Sequence, residues 1–207
     1  MKNFVTIYRI GFSLFSLFTI GYSLYVLSKA ASFNAVNFFS YFTVLSNVIE
    51  AAVLLSLGVG VLQAIISKRT ISSVRGASTM YMLLTGIVYA LLLAHNPNAI
   101  PGWENTVLHR VMPIVAVIDW MLVPPAISLS YQIVLKWLFF PFLFIGYTMI
   151  RGTFVDWYPY PFFNPVNGGY ETVFLYIVVI ITGFILCSLL IIFLGNHLQK
   201  SPLVKIH

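Results

Sequence analysis

Long apolar runs, separated by short polar or proline-containing segments, constrain this chain more than any other feature. The runs are too long to be β-strands, whereas one helix needs about 20 apolar residues to cross a bilayer. Charged residues make up only 8% of the chain, against roughly 25% of a soluble domain. So few charges argue against a soluble enzyme, a disordered chain or a nucleic-acid binder. The sequence therefore predicts an all-α, polytopic membrane protein.

Six apolar runs predict a six-span transmembrane helical bundle that forms a single integral membrane domain over residues 1–207. The stretches between the runs are too short for a soluble domain. The first run exceeds the apolar core of a signal peptide, roughly 7–15 residues, and is expected to be an uncleaved span. The predicted spans are 4–27, 38–66, 76–95, 105–123, 133–150 and 171–195.

The distribution of lysine and arginine predicts the orientation, because cytoplasmic loops are enriched in these residues. With six spans both termini lie on one face, and Lys29, Arg110 and Arg151 map to the other. We therefore expect both termini to be cytoplasmic, in a multi-pass protein of the cell membrane. The remaining basic residues map to the cytoplasmic face: Lys2, Arg9, Lys68, Arg69, Arg75, Lys136, Lys200 and Lys205.

Two carboxylates fall inside predicted spans, where an ionisable side chain is costly and indicates a functional site by default. They are Glu50 in the second span and Asp119 in the fourth. Glu50 also ends a polar stripe, because positions 40, 43, 47 and 50 follow the spacing of one helical face. This face is expected to point into the bundle. Its polar side chains either supply helix–helix hydrogen bonds or form part of a site.

Thr43 and His109 are predicted to enter the membrane from the same face, at similar depths in the second and fourth spans. A threonine hydroxyl is a poor nucleophile until a neighbouring base takes its proton. Histidine is the usual base near neutral pH. The pair therefore fits nucleophilic catalysis. The alternative is that His109 is an interfacial hydrogen-bonding residue at a helix end.

Other catalytic and cofactor motifs are missing from the sequence. There is no HExxH pair, no GxSxG elbow, no glycine-rich phosphate loop and no cluster of three metal ligands. The single cysteine, Cys187, excludes an internal disulfide and a CxxC site. We expect no cofactor, no metal and no nucleic-acid partner. No GxxxG motif marks a dimer face, so the oligomeric state stays open.

The loop 151–170 contains seven aromatic residues among several prolines. One interpretation is an aromatic belt at the membrane–water interface. The other is a proline-stiffened cap that dips into the bilayer and shapes an apolar opening. The sequence leaves both interpretations open.

Several short motifs in a fixed order resemble a bacterial family of membrane proteins called Pr6Pr. The clearest is FSYFTVLSN in the predicted second span. This family is related to the eukaryotic androgen-induced-gene-like membrane hydrolases, which act on fatty acid esters of hydroxy fatty acids (FAHFA hydrolases). The matching stretches are 39–47, 75–76, 85–89, 108–113, 119–120, 136–141 and 158–162.

The resemblance implies a six-span bundle in which a threonine and a histidine hydrolyse lipid esters. The matching residues here are Thr43 and His109. The expected partner is then a membrane lipid or a lipid-ester substrate. Asp119 is a candidate to orient His109 through intermediate groups. Arg110, or backbone amides at the start of the fourth span, are candidates to stabilise an oxyanion.

Three hypotheses about function follow. The first is an intramembrane lipid-ester hydrolase with a Thr43 nucleophile and a His109 base. The second is a proton-coupled transporter with Glu50 and Asp119 as a relay, although no internal repeat of the kind common in transporters is visible. The third is a non-catalytic membrane protein that binds a lipid or a partner.

Overall fold

The computed structural model describes residues 2–94 and 102–200, and every regular element in this part of the chain is helical. Four helices are long and apolar enough to cross a membrane: Lys2–Leu27, Lys68–Leu93, Tyr131–Val155 and Gly169–Gln199. The helix Phe42–Gly58 is apolar but shorter. The all-α, multi-pass membrane architecture that the sequence predicts is confirmed in this form.

Ten α-helices, two π-helical turns and three 3₁₀ turns follow one another in the described residues. The helices are α1 (Lys2–Leu27), α2 (Ala35–Phe39), α3 (Phe42–Gly58), α4 (Val61–Ile65), α5 (Lys68–Val88), α6 (Trp103–Thr106), α7 (Met112–Leu122), α8 (Val134–Trp137), α9 (Phe139–Val155) and α10 (Gly169–Gln199). The π-helical turns are Tyr89–Leu93, which extends α5, and Val107–Val111, which joins α6 to α7. The 3₁₀ turns are Tyr131–Ile133, Pro161–Phe163 and Pro165–Asn167.

The predicted second span, 38–66, is broken twice in the structure, into α2, α3 and α4. The first break is at Tyr41, whose extended backbone separates α2 from α3. The second follows α3, where Gly60 adopts a left-handed conformation with φ of 85°, which glycine tolerates without a steric cost. As a result Thr43 lies in the first turn of α3 and not deep inside a longer helix.

Helix α5, which corresponds to the predicted third span, begins earlier than predicted, at residue 68 rather than 76. Its first turn is capped by the Ser67 hydroxyl, which accepts a hydrogen bond of 3.1 Å from the amide of Thr70. The end of the span predicted at residue 95 lies outside the described residues. The helical segments that correspond to the other predicted spans start and end within a few residues of the predicted bounds. The exception is the end of the fifth span, because α9 continues to Val155.

Helix α1 packs against α3 through a face of small polar residues. Ser13, Ser16 and Ser23 lie on this buried face, and the Ser13 hydroxyl donates a 2.7 Å hydrogen bond to the Ala51 carbonyl. Small side chains let two membrane helices approach closely, where dispersion and hydrogen bonding hold them together. The opposite face of α1 exposes large apolar side chains such as Phe18, as expected for contact with lipid.

Helix α5 lies at the centre of the bundle and packs against α3, α7 and α10. Gly86 lies where α5 meets the segment that carries His109 and Pro113. A β-carbon there would lie 3.1 Å from Pro113 and 3.4 Å from the carbonyl oxygen of His109. The absence of a side chain at Gly86 therefore lets α5 lie directly against the backbone that carries His109.

Candidate active site

The structure brings together the two residues that the sequence singled out. The hydroxyl oxygen Oγ1 of Thr43 lies 3.0 Å from Nε2 of His109. Thr43 belongs to the first turn of α3, and His109 to the π-helical turn Val107–Val111. π-Helical turns are rare and occur frequently at functional sites. The catalytic role of either residue stays a prediction.

The second ring nitrogen of His109 fixes its tautomer. Nδ1 lies 3.0 Å from the carbonyl oxygen of Asn105. A carbonyl can only accept a hydrogen bond, so Nδ1 must carry the hydrogen. In the neutral ring, Nε2 then has a free lone pair and accepts the hydrogen bond from the Thr43 hydroxyl. This is the protonation state in which a histidine acts as a general base toward a hydroxyl.

The plane of the imidazole is held by Tyr89, which belongs to the other π-helical turn. The two rings stack with centroids 4.3 Å apart and planes 28° apart. The side-chain amide of Asn105 donates a 3.0 Å hydrogen bond to the Tyr89 hydroxyl. Asn105 thus holds His109 through its backbone and Tyr89 through its side chain. Both π-helical turns of the described residues meet at this point.

Asn47 ties α3 to the turn that carries His109. Its side-chain amide donates hydrogen bonds to the carbonyl oxygens of Thr43, at 2.8 Å, and of Leu108, at 3.1 Å. The predicted polar stripe therefore points into the bundle, as expected. Of its members, Asn47 supplies a helix–helix hydrogen bond, whereas Thr43 faces the candidate base.

The sequence analysis missed Tyr160, which completes the surroundings of Thr43. Its hydroxyl oxygen lies 3.4 Å from Oγ1 of Thr43 and accepts a 3.3 Å hydrogen bond from the Thr43 amide. Burial raises the pKa of Tyr160 to about 12, so the phenol keeps its hydrogen at neutral pH. The sequence feature that could have indicated Tyr160 is YPYPF at 158–162, where two prolines stiffen the backbone on either side of this residue.

The aromatic loop folds over the helices. Tyr160 and Phe163 are buried, and the Tyr160 ring lies parallel to Phe162 with centroids 5.1 Å apart. Phe154 and Tyr170, near the ends of the loop, are exposed. The centre of the loop thus packs against the helices, whereas the exposed Phe154 and Tyr170 belong to α9 and α10 on either side of it. Both interpretations of the loop stay predictions.

Thr43, His109 and Tyr160 line a cavity of about 610 Å³. Ligand pockets in proteins commonly enclose roughly 300–1,000 Å³. A smaller apolar cavity, of about 40 Å³, shares Thr43 and Tyr160 with the larger one. The other residues of the larger cavity come from α1, α2, the start of α3, the π-helical turn Tyr89–Leu93, the segment 104–108 and the aromatic loop. They are Ser23, Val26, Leu27, Phe38, Tyr41, Val44, Tyr89, Leu93, Glu104, Asn105, Leu108, Tyr158, Pro159, Pro161, Asn164 and Asn167.

Asp119 lies in a separate cluster of charged residues. Its two carboxylate oxygens accept hydrogen bonds from Arg9, at 2.6 Å, and from Arg75, at 2.7 Å. The structure gives no support to the hypothesis that Asp119 orients His109, because the side-chain hydrogen bonds of Asp119 among the described residues go to Arg9 and Arg75. Arg9 and Arg75, assigned to the cytoplasmic face by residue counting, are buried in α1 and α5.

Glu50 and Arg110 both lie outside the candidate site. Glu50 is only 2% exposed and lies near the charged cluster, since Arg75 and Arg9 both act on its carboxylate. It does not line either cavity. Arg110 is exposed, and its guanidinium lies 5.6 Å from the centre of the Tyr89 ring. Arg110 does not line the larger cavity, so it is not positioned as an oxyanion donor.

Comparison of the chain with protein-family models, curated proteins and solved structures finds no match. The resemblance to Pr6Pr therefore stays a prediction, and the site is judged by its own geometry. In the described residues, no group of three or more His, Cys, Asp or Glu side chains is arranged to hold a metal ion. The chemistry that the arrangement supports is that of a hydroxyl nucleophile with an oriented imidazole base.

Proposed function

We propose that this protein is an intramembrane hydrolase of lipid esters, with Thr43 as the nucleophile and His109 as the general base. One observation carries the proposal: the hydrogen-bond chain from the Asn105 carbonyl through His109 to Oγ1 of Thr43, at the wall of a cavity of about 610 Å³. These hydrogen bonds hold the Thr43 hydroxyl and its candidate base side by side, next to a cavity large enough for a ligand. The resemblance to Pr6Pr and its hydrolase relatives supports a lipid ester as substrate.

The reaction proceeds in two steps. In the first, Oγ1 of Thr43 attacks the ester carbonyl carbon while its proton moves to Nε2 of His109. The bond between the carbonyl carbon and the alcohol oxygen breaks, and His109 gives the proton to the departing alcohol. In the second, water attacks the acyl carbon and gives a proton to His109. The bond to Thr43 then breaks, His109 returns the proton to Oγ1, and a carboxylic acid leaves.

The Asn105 carbonyl takes the place that a carboxylate has in a serine-protease triad. It accepts the hydrogen from Nδ1 and so keeps the imidazole in the reactive tautomer. When Nε2 takes the proton of Thr43, the ring becomes positively charged and the bond to the carbonyl strengthens. A carbonyl stabilises an imidazolium less than a carboxylate does, so we expect slow turnover compared with triad hydrolases.

The proposal includes six spans with both termini in the cytoplasm. Besides the four long helices, α3 has 17 residues and extends about 26 Å, and the continuous segment α6–α7 extends about 30 Å; both are within reach of the roughly 30 Å hydrocarbon core. The Lys and Arg distribution supports cytoplasmic termini. A reporter fused after His207 tests this topology: we expect a cytoplasmic reporter to be active, and an active exported reporter would contradict the six-span arrangement.

The hypothesis of a proton-coupled transporter has weaker support. A relay residue needs a free carboxylate that reaches an aqueous path. Both oxygens of Asp119 are bound by arginines, and neither Asp119 nor Glu50 lines the described cavities. A non-catalytic lipid-binding protein would use the same large cavity without turnover. The experiment for the hydrolase separates these cases.

The experiment is labelling of membranes with a fluorophosphonate probe, which forms a covalent bond with an activated hydroxyl. We compare wild type, Thr43→Ala and the matched control Ser46→Ala, three residues along the same helix. We expect labelling of wild type and the control, and loss of labelling in Thr43→Ala. Equal labelling of Thr43→Ala and wild type would contradict the nucleophile. A folded wild type with neither labelling nor ester turnover would favour the lipid-binding alternative.

A further inference from the structure

Helix α3 begins without a side-chain cap. Its first backbone hydrogen bond within the helix runs from the amide of Leu45 to the carbonyl of Tyr41, and the Tyr41 side chain makes no capping bond. The Thr43 amide belongs to the first turn, whose amides have no acceptor inside the helix. It donates instead to the hydroxyl of Tyr160, at 3.3 Å. The phenol therefore lies at the end of the helix that carries the candidate nucleophile.

The direction of this hydrogen bond determines what the Tyr160 hydroxyl can do next. The oxygen accepts from the Thr43 amide, so the hydroxyl hydrogen remains available for another acceptor. Oγ1 of Thr43 is such an acceptor, at 3.4 Å, and its own hydrogen is directed to His109. The nucleophilic oxygen thus lies between a base that takes its proton and a donor that faces its lone pair.

We propose that Tyr160 is a second catalytic residue, whose hydroxyl donates to the oxyanion that forms when Thr43 attacks an ester carbonyl. This inference rests on the proposed hydrolase function. In the tetrahedral intermediate the oxyanion is one carbon away from Oγ1, on the wall that Tyr160 shares with Thr43. The hydroxyl hydrogen then turns from Oγ1 to the more negative oxygen, and no bond to Tyr160 forms or breaks.

Two features of the surroundings favour this role. Tyr160 is 7% exposed and its ring is clamped against Phe162 and Phe163, so the hydroxyl is held in place before the reaction. A preorganised donor in a site that excludes water stabilises developing charge much more than a solvated one does. The positive end of the α3 dipole points toward the same position and adds to the effect.

The test is turnover of 4-nitrophenyl butyrate by purified wild type, Tyr160→Phe, Tyr176→Phe and Thr43→Ala in detergent. Tyr176 is the matched control, because its ring packs on Phe162, at 5.6 Å, and it does not line either cavity. We expect Tyr160→Phe to lower kcat by about 10²–10³-fold with little change in KM. Tyr176→Phe should behave as wild type.

A second measurement separates catalysis from a structural role. A trifluoromethyl ketone that adds to Thr43 forms a tetrahedral adduct with the same oxyanion. We expect its inhibition constant to rise in Tyr160→Phe by the factor by which kcat/KM falls. A purely structural role would lower the melting temperature without matching these two factors. A kcat for Tyr160→Phe within about threefold of wild type, with Thr43→Ala inactive, would overturn the role of Tyr160 and leave the hydrolase intact.

A third variant covers the case in which Tyr160→Phe does not fold. 3-Fluorotyrosine at position 160 keeps the packing and makes the hydroxyl a stronger donor, so we expect a rise in kcat on the order of twofold. An unchanged kcat would overturn the proposal. Wild-type protein without any turnover that depends on Thr43 would overturn the hydrolase itself, and the role of Tyr160 with it.

Discussion

The same three helical segments build two buried polar clusters that differ in kind. Thr43, Tyr89 and His109 form the candidate active site, whereas Glu50, Arg75 and Asp119 come from the same segments about two turns or more further into the bundle. The first cluster has no charged member and borders a cavity. The second is charged and borders neither described cavity.

The difference between the clusters lies in how they satisfy their polar groups. In the charged cluster Asp119 binds two arginines, one of which also donates to its backbone carbonyl at 3.1 Å. A buried charge needs such partners, and with them it stabilises one arrangement of helices. In the candidate active site, by contrast, weak neutral donors and acceptors meet at a cavity wall. The comparison indicates that the charged cluster holds the helices and the neutral cluster is available for chemistry.

Substitution of Asp119 is the strongest test of the different roles assigned to the two clusters. Asp119→Asn leaves Arg9 and Arg75 buried without a compensating carboxylate. We expect a loss of about 3–5 kcal/mol in the free energy of unfolding, measured by unfolding in mixed detergent micelles. Any fraction that folds should keep wild-type kcat, because Asp119 does not contact the candidate site. A folded, wild-type-stable Asp119→Asn with lost turnover would reverse the assignment of the two clusters.

Glu50 gives a smaller effect of the same kind. Its Oε2 has no hydrogen-bond partner among the described residues, and its carboxyl group lies near Arg9 and Arg75. Glu50→Leu removes this carboxyl group from beside the two arginines, and we expect a loss of about 1–3 kcal/mol in the free energy of unfolding. Thermal melting and expression in membranes measure it. If Glu50→Leu expresses and folds as well as wild type, the interior position carries no electrostatic role.

Thr43→Ser tests the other cluster, the candidate active site. The variant keeps a hydroxyl for His109 and loses one methyl group, so we expect turnover of 4-nitrophenyl butyrate within about tenfold of wild type. The free energy of unfolding should fall by less than about 1.5 kcal/mol. Complete loss of turnover in a folded Thr43→Ser would indicate that the methyl group, and not the hydroxyl, accounts for the importance of the position.

Ser46→Ala is expected to have the smallest effect. The Ser46 hydroxyl is buried between the Thr43 carbonyl, at 3.2 Å, and the Thr85 hydroxyl, at 3.1 Å, and does not line either cavity. We expect a loss of about 1 kcal/mol in stability and kcat within about twofold of wild type. A large fall in kcat with normal stability would place Ser46 in the reaction.

The sequence predicts the helical architecture from local signals, and it predicts the Thr43–His109 pair from similar depths in two spans together with the resemblance to Pr6Pr. Apolar length indicates a membrane helix, and helical spacing places polar residues on one face. The break before Thr43 was missed, because the interruption at Tyr41 leaves the apolar run continuous.

Tyr160 and the arginine pair could not be predicted in the same way. Tyr160 meets Thr43 across 117 positions of sequence, and the approach depends on how the proline-containing loop folds. No periodicity marks such a contact. Arg9 and Arg75 lie near helix ends, where counting assigns a basic residue to the cytoplasmic face. Their burial is explained by the carboxylate of Asp119, which packing brings between them.

The most direct test of the candidate active site is a double-mutant cycle on its two residues. Thr43→Ala, His109→Ala and the double variant are compared with wild type in turnover of 4-nitrophenyl butyrate, with folding checked by size-exclusion chromatography. If the residues act as one unit, each single variant loses about 10²–10⁴-fold in kcat, and the double variant is hardly worse than either. Undiminished turnover in folded Thr43→Ala, or losses that multiply in the double variant, would contradict a nucleophile activated by His109.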